Sequence, residues 1–107
     1  MTVSLQELTP ENWEECAELR VREDQQVHVD TNLYCIAESK VEPHWEPMAV
    51  YAGETMVGMV VYGEVAGGSC VIHHLMTDRN HQGKGYGRAA MVAAIRELQA
   101  RACLLNL

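Results

Sequence analysis

The alternation of apolar and polar residues divides the first part of the chain into a strand and two helices. Residues 3–8 begin with the two-residue period of a half-buried strand. Thr9, followed by a proline, is typical of a helix cap, and Trp13 opens an apolar face of helical period. We expect Trp13 to anchor the core. A second helix is predicted over residues 32–40, with Asn32 as its cap.

Three strands and a longer helix are predicted in the second part. Residues 48–52 and 55–62 are apolar and rich in β-branched side chains, and the Gly-Glu pair at 53–54 is typical of a hairpin turn. Residues 70–77 form a third, largely apolar run. Residues 88–98 are rich in alanine and contain no Gly or Pro, which favours a helix. The predicted order is therefore β-α-α-β-β-β-α.

A glycine-rich turn with the sequence Gln-Gly-Lys-Gly-Tyr-Gly, residues 82–87, lies between the last predicted strand and the long helix. Glycines allow a backbone to curl closely around a ligand. The free N–H groups of the first helical turn and the helix dipole attract an anion such as a pyrophosphate. The turn therefore predicts an anion-binding loop, and the alternative is a plain glycine-rich connection that binds nothing.

The spacing within this turn excludes two other phosphate loops. A Walker A loop has Ser or Thr after its lysine, whereas Gly85 follows Lys84 here. The dinucleotide-binding loop has the pattern G-x-G-x-x-G, which residues 82–87 do not contain. The turn must therefore serve a different ligand, or none.

The length of 107 residues fits one small domain, which we place at 1–107. The sequence shows no signal peptide and no long apolar run, so we expect a cytoplasmic protein. Four cysteines are widely separated, and we expect them to be reduced core residues that form neither a metal site nor a disulfide framework. They are Cys16, Cys35, Cys70 and Cys103.

The net charge of −7 is distributed unevenly. Residues 1–78 carry 14 acidic and 3 basic side chains, whereas residues 79–107 carry 1 acidic and 5 basic side chains. The basic part contains the glycine-rich loop and suits a polyanionic cofactor. The acidic part would attract a cationic co-substrate and repel nucleic acid. A solvated acidic surface is the alternative explanation for most of these carboxylates.

The spacing Gln-x-x-Gly-x-Gly in residues 82–87, between a strand and a helix, resembles the acyl-CoA loop of the GNAT superfamily of N-acetyltransferases. Looser matches, among them residues 9–16, 32–40 and 45–47, resemble its bacterial spermine/spermidine (diamine) acetyltransferase branch. The similarity extends over nearly the whole chain. It implies an α/β (α+β) fold with a mixed, mostly antiparallel sheet flanked by helices.

The family continues beyond its acyl-CoA helix with a further strand, a helix and a closing β-hairpin, whereas this chain ends at Leu107. We therefore expect the chain to lack these C-terminal elements and to expose an apolar sheet edge at residues 103–107. Pairing of this edge between copies would give a homo-oligomer, most simply a dimer. We expect no nucleic-acid partner and no membrane partner.

The resemblance implies acetyl transfer from acetyl-CoA to a polyamine or another small primary amine, without a metal. Loop N–H groups would hold the pyrophosphate, backbone groups of the preceding strand would pair with the pantetheine arm, and the N–H of Met76 or Thr77 would polarise the thioester carbonyl. The implied cofactor-binding residues are Leu75, Met76, Thr77, Gln82, Gly83, Lys84, Gly85, Tyr86, Gly87 and Arg88.

The general base is expected on the strand before the loop. Some polyamine-acetylating relatives carry a carboxylate there, at the position of His73, and His74 lies beside it. Histidine can take up a proton near neutral pH. Strand alternation predicts that these two side chains point to opposite faces, so that at most one faces the cleft. A buried, hydrogen-bonded role is the alternative for each, and Glu64 and Asp78 are weaker candidates.

We expect the amine to contact the segment between the first two helices, where the family has its substrate wall. The candidate residues there are Glu23, Asp24, His28 and Asp30. Two further functions stay open. The chain could bind CoA without catalysis, because the family's general acid belongs to the absent C-terminal segment. It could also be a truncated relic that binds nothing and associates only through its open sheet edge.

Overall fold

The structure, a computed structural model, describes residues 2–101 and 103–105. The strands are β1 (Ser4–Glu7), β2 (Trp45–Ala52), β3 (Thr55–Val65), β4 (Ser69–Thr77) and β5 (Leu104–Leu105). The helices are α1 (Trp13–Glu18), α2 (Asn32–Val41) and α3 (Tyr86–Ala100). The predicted order β-α-α-β-β-β-α is confirmed, and β5 follows it.

The strands form one sheet in the order β1-β2-β3-β4-β5. The first four pair antiparallel as a meander, and β5 pairs parallel to the start of β4. Short connections explain the pairing of β2 with β3 and of β3 with β4, because antiparallel strands need only a tight turn between them. β1 and β2, by contrast, are joined through α1 and α2. The mixed, mostly antiparallel sheet flanked by helices is therefore confirmed.

The core lies on both faces of the sheet. On one face, Met59 and Met76 pack with Cys16 of α1 and Cys35 of α2. On the other face, a second cluster joins the sheet to α3, with Leu98 fully buried. The end of β4 therefore lies between the two helical layers, and both layers can contribute side chains to a site there.

Three predicted details of the helices are wrong. Trp13 is 40% exposed and does not anchor the core. The helix α1 begins only at Trp13, because Thr9 and Asn12 form a turn in which the Thr9 N–H donates to Asn12 Oδ1. The cap of α2 is Thr31, whose hydroxyl accepts the Tyr34 N–H at 3.1 Å. Asn32 is instead the first helical residue, and it is buried.

The expectation that all four cysteines are reduced is wrong for two of them. Cys70 and Cys103 form a disulfide, with their Cα atoms 5.9 Å apart. The parallel pairing of β5 with β4 brings them together, a proximity that their separation of 33 residues did not reveal. Cys16 and Cys35 are free and buried, as predicted. Burial raises their thiol pKa to about 12 and about 11, so neither forms a thiolate nucleophile near neutral pH.

The expected sheet edge at residues 103–107 falls partly outside the described residues, which omit Asn106 and Leu107. Residues 104 and 105 already form β5, paired with Ser69 and Cys70. This short fifth strand was not part of the predicted order. Beyond Cys70, this side of β4 has no strand neighbour in the part of the chain that the structure describes.

No helix within the described ranges is long and apolar enough to cross a membrane.

Candidate active site

A cleft of about 380 Å³ opens where the end of β4, the loop of residues 82–87 and the start of α3 meet the segment before α2. All but two of the residues predicted to hold the cofactor line this cleft. They are Leu75, Met76, Thr77, Gln82, Gly83, Gly85, Tyr86 and Gly87. The fold therefore brings the predicted strand end and the predicted loop together in one cavity.

The backbone of the loop depends on its glycines. Gly83 and Gly85 have φ angles of 78° and 86°, in the left-handed region that other residues rarely adopt. A Cβ at Gly87 would lie 3.3 Å from Thr77 Oγ1, tighter than an ordinary contact. Gly85 caps α3, and its carbonyl accepts the Ala89 N–H at 3.1 Å. The N–H groups before Ala89 have no acceptor in the helix and can serve an anion in the cleft.

Gln82 fixes the loop to its surroundings. Its Nε2 donates to the Thr77 carbonyl at 3.0 Å and to Gln25 Oε1 at 2.9 Å. One side chain thus joins the loop, the end of β4 and the segment before α2, which are three walls of the cleft. Gln25 was not among the predicted site residues.

Asp78, a weaker candidate for the general base, is buried and structural. Its Oδ1 accepts the Arg20 N–H at 3.0 Å, and its Oδ2 accepts the Asn80 N–H at 3.2 Å. The Arg79 N–H also donates to the Arg20 carbonyl at 2.7 Å. These bonds attach the segment after α1 to the end of β4. Glu64, the other weaker candidate, is exposed on β3 next to the turn at residues 66–68 and does not line the cleft.

An Asp78→Ala variant is expected to lower the free energy of unfolding by about 1–3 kcal/mol, because two partly buried hydrogen bonds to backbone N–H groups are lost. Chemical denaturation at pH 7 measures the change. Asp24→Ala is the control, since Asp24 pairs with Arg22 on the exposed surface and its loss should cost less than about 1 kcal/mol. Equal losses in the two variants would contradict an anchoring role for Asp78.

Lys84 and Arg88 are the two predicted cofactor residues that do not line the cleft. Together with Arg96, they line a separate groove of about 460 Å³ between α3 and the N-terminal residues Thr2 and Val3. The basic side chains predicted for the loop therefore line this groove and not the cleft.

The prediction that His73 and His74 point to opposite faces is wrong. In the pairing of β3 with β4, Val61 is opposite His74 and Tyr62 is opposite Ile72, which leaves His73 unpaired in a β-bulge. The bulge turns both rings toward α2, where His73 contacts Glu38 and His74 contacts Asn32. Neither ring is among the residues that line the cleft.

His73 is exposed and already engaged on two sides. Its Nε2 lies 2.8 Å from Glu38 Oε1. Its ring stacks on the indole of Trp45, with centroids 4.0 Å apart and planes 8° from parallel. These contacts hold the ring between the carboxylate of Glu38 on α2 and the indole of Trp45 on β2.

His74 is more buried, and its environment is different. Its Nε2 lies 3.1 Å from Oδ1 of Asn32, which is itself 2% exposed. Burial lowers the pKa of His74 below its ordinary 6.5, and His73 acts in the same direction, while Asp30 and Glu38 oppose the shift. The ring is therefore mostly neutral at pH 7, the state in which histidine can accept a proton.

The four residues predicted to contact the amine are not brought together. His28 lines the cleft. Asp30 lines a neighbouring cavity of about 160 Å³ that shares Val21, Val29 and Met76 with the cleft. Glu23 and Asp24 are exposed in a short 3₁₀ turn and line neither cavity.

Asn32 and Glu38, the partners of the two histidines, were missed as site residues. Both lie on α2, and only the bulge in β4 turns both histidines toward that helix. A group of three or more His, Cys, Asp or Glu side chains able to hold a metal ion is not found among the described residues.

A model of the acetyltransferase (GNAT) family matches residues 4–107, nearly the whole sequence. The chain therefore belongs to the GNAT acetyltransferase family, as the sequence resemblance predicted. A search of curated proteins finds no significant match.

Three solved structures illustrate the likeness in fold. An acetyltransferase from Thermus thermophilus has a TM-score of 0.70 and 17% identity, over 92% of this chain and 71% of that one. Ribosomal-protein-alanine N-acetyltransferase from Brucella melitensis biovar Abortus 2308 has a TM-score of 0.69 and 18% identity, over 99% and 80%. A GNAT family acetyltransferase from Brucella melitensis in complex with acetyl-CoA has a TM-score of 0.72 and 10% identity, over 94% and 71%.

Proposed function

We propose that this chain binds acetyl-CoA in the cleft at the end of β4 and transfers the acetyl group to a primary amine. The observation that carries the proposal is the single cavity formed by the strand end, the glycine loop and the start of α3. A family member of similar fold was solved in complex with acetyl-CoA, which supports the choice of cofactor.

The residues present suit this cofactor. Gly83 and Gly85 hold the loop in a conformation that presents backbone rather than side chains, and a Cβ at Gly87 would press on Thr77. The N–H groups at the start of α3 would hold a diphosphate. The free side of β4 at residues 71–77 would pair with the amide-containing arm as an added strand does.

Acetyl-CoA would supply an acetyl group already activated as a thioester, so the chain need not provide a nucleophile of its own. The backbone N–H of Met76 or Thr77 would stabilise the negative charge that develops on the carbonyl oxygen. The walls of the cleft would hold the two reactants side by side and so reduce the entropic barrier. The remaining task is to remove a proton from an ammonium group with a pKa of about 10.

His74 is our choice for the proton acceptor, in preference to His73. The pKa of His74 is lowered by burial, so the ring is available in its neutral form at pH 7. The Nε2 of His73 is already engaged by the carboxylate of Glu38. His74 is not among the residues that line the cleft, so it would act through a bridging water.

For the acceptor, we propose a small cationic amine, with polyamines as the first class to test. Asp30 lines the cavity next to the cleft, and the first 78 residues carry a strong excess of acidic side chains. An alanine amine is the second class, because one protein of similar fold is a ribosomal-protein-alanine N-acetyltransferase.

The test is calorimetric titration of the purified protein with acetyl-CoA, followed by measurement of free CoA released on adding spermidine or a peptide with an N-terminal alanine. Saturable binding and amine-dependent release support the enzyme. Binding without release from any amine would indicate a CoA-binding protein without catalysis. A folded protein that does not bind acetyl-CoA would contradict both and leave the relic interpretation.

We also propose that the chain forms a homodimer in the cytoplasm through the edge at β5, with no nucleic-acid or membrane partner. Light scattering at several protein concentrations measures the mass of the assembly. A monomer at all concentrations would contradict the dimer without bearing on acetyl-CoA binding.

A further inference from the structure

Asn32 is buried at the start of α2 and makes polar contacts with three different elements. Its Nδ2 lies 2.9 Å from the Cys16 carbonyl on α1 and 3.4 Å from Met76 Sδ on β4. Its Oδ1 lies 3.1 Å from His74 Nε2. The contacts to Cys16 and Met76 are buried, and the contact to His74 is partly buried.

The orientation of this amide follows from the chemistry of its partners. The Cys16 carbonyl can only accept a hydrogen bond, so the amide atom that faces it must be the NH₂ group. The thioether of Met76 is also an acceptor, although a weak one. The other amide atom is therefore the oxygen, and it faces His74.

The amide oxygen in turn decides which nitrogen of His74 carries the proton. Because Oδ1 can only accept, His74 Nε2 must donate, and a neutral ring that carries its proton on Nε2 has its lone pair on Nδ1. Among the described side chains, no buried nitrogen or oxygen lacks a hydrogen-bond partner. A partner for Nδ1 is not found there either, so Nδ1 must reach the solvent-accessible surface.

We propose that Asn32 is a positioning residue that holds His74 as the Nε2–H tautomer and thereby makes Nδ1 the atom that takes up the substrate proton. This inference rests on the proposed function for the role of Nδ1, but not for the tautomer. In the step itself, an N–H bond of the ammonium breaks and an Nδ1–H bond forms, and one bridging water relays the proton between them. The amine keeps the electron pair that attacks the carbonyl, and the ring becomes an imidazolium that still donates from Nε2 to Asn32.

Several titratable groups influence the pKa of His74 and must be considered in the test. Asp30 precedes α2, Glu38 lies on α2 and His73 is the neighbour on β4. Across the sheet, the partner on β3 is the uncharged Val61, and the nearby thiol of Cys16 on α1 stays neutral because burial raises its pKa to about 12.

The tautomer is measured by long-range ¹H–¹⁵N NMR on the full chain labelled with ¹⁵N-histidine, at a pH above the titration of the ring. The signals of His74 are those lost in His74→Gln. We expect a protonated, pyrrole-type signal for Nε2 and an unprotonated, pyridine-type signal for Nδ1. The reverse pattern, or two averaged signals, would overturn the inference whether or not the protein binds acetyl-CoA.

Two variants test the part played by Asn32. Asn32→Leu removes the acceptor, and the signals of His74 should move toward an average of the two tautomers. Asn32→Asp keeps an acceptor and adds a charge, so the Nε2–H tautomer should persist while the His74 pKa rises by roughly 1–3 units. Asn12→Asp, the same substitution at the start of α1, should leave the pKa unchanged. If Asn32→Leu does not fold, the wild-type spectrum still shows which tautomer His74 adopts. Asn32→Asp still tests whether residue 32 controls the pKa of His74.

The role of Nδ1 is tested by the pH profile of kcat. In Asn32→Asp, the acid limb should move to higher pH by the same amount as the NMR pKa of His74, a shift that a merely structural defect would not produce. A limb that stays in place while the NMR pKa moves would overturn the role of Nδ1. Failure to bind acetyl-CoA would overturn the proposed function and the catalytic role with it, while the spectrum still decides the tautomer.

Discussion

A Gly85→Val variant is expected to bind acetyl-CoA at least about 100-fold more weakly than the wild type, a loss of roughly 3 kcal/mol. Gly85 has φ 86° and ψ 7°, in the left-handed region where a β-branched residue is strongly disfavoured. The variant would relieve this strain by moving the loop, and the N–H groups at the start of α3 would then no longer point into the cleft. Calorimetric titration with acetyl-CoA measures the affinity.

The control for backbone strain is Gly67→Val. Gly67 has the same φ of 86° and ψ of 7°, but it lies in the turn between β3 and β4 and a Cβ there would contact nothing within 4 Å. Both variants should lose similar stability in thermal denaturation, and only Gly85→Val should lose affinity. Retained affinity in Gly85→Val would contradict the assignment of the loop, and an equal loss in both would show that strain alone is responsible.

Most of the fold could be predicted because each element carries its own local signal. The strand run of residues 55–62 and the alanine-rich run of 88–98 fall within β3 and α3. Trp45, by contrast, begins β2, whereas the predicted strand began only at residue 48, after Pro47. Pairing of residues 45–47 with β3 overrides the local signal there, and such pairing depends on distant residues.

The site could be predicted only where a contiguous motif formed it. The loop and the end of β4 are adjacent in the sequence, and they meet in the cleft. The positions of His73 and His74 depend on a one-residue bulge against β3, and strand alternation alone predicted the wrong face. Asn32 looked like a helix cap because its chemistry suits one, but Thr31 takes that role and leaves Asn32 to reach across to β4.

The disulfide and the positions of the acidic residues were not predicted for the same reason: they depend on contacts between distant parts of the chain. Cys70 and Cys103 meet because β5 returns to the start of β4, a long-range pairing with no local signature. Asp30 approaches the cleft, whereas Glu23 and Asp24 of the same acidic segment stay on the surface. Charge counting along the sequence cannot separate these cases, because it contains no information on where the chain turns.

The second large effect is expected for His74→Gln, which should lower kcat at pH 7 by about 100-fold or more, the usual contribution of a general base. Glutamine can still donate a hydrogen bond to Asn32 Oδ1, so the fold should persist, but it cannot accept a proton. The measurement is the rate of CoA release at saturating acetyl-CoA and amine. His73→Gln is the matched control, and it should keep most of the activity because His73 contacts Glu38 and Trp45.

The pH dependence gives the same assignment an independent test. Only the neutral ring of His74 can accept a proton, so kcat should rise with pH as the ring deprotonates and level off above its pKa. Because burial lowers that pKa, the midpoint of the rise should lie below the ordinary 6.5 of histidine, and the wild type should be close to its plateau at pH 7. His73→Gln should keep this rise of kcat with pH, whereas the residual activity of His74→Gln should not show it. If the rise persists in His74→Gln, a residue other than His74 is the general base.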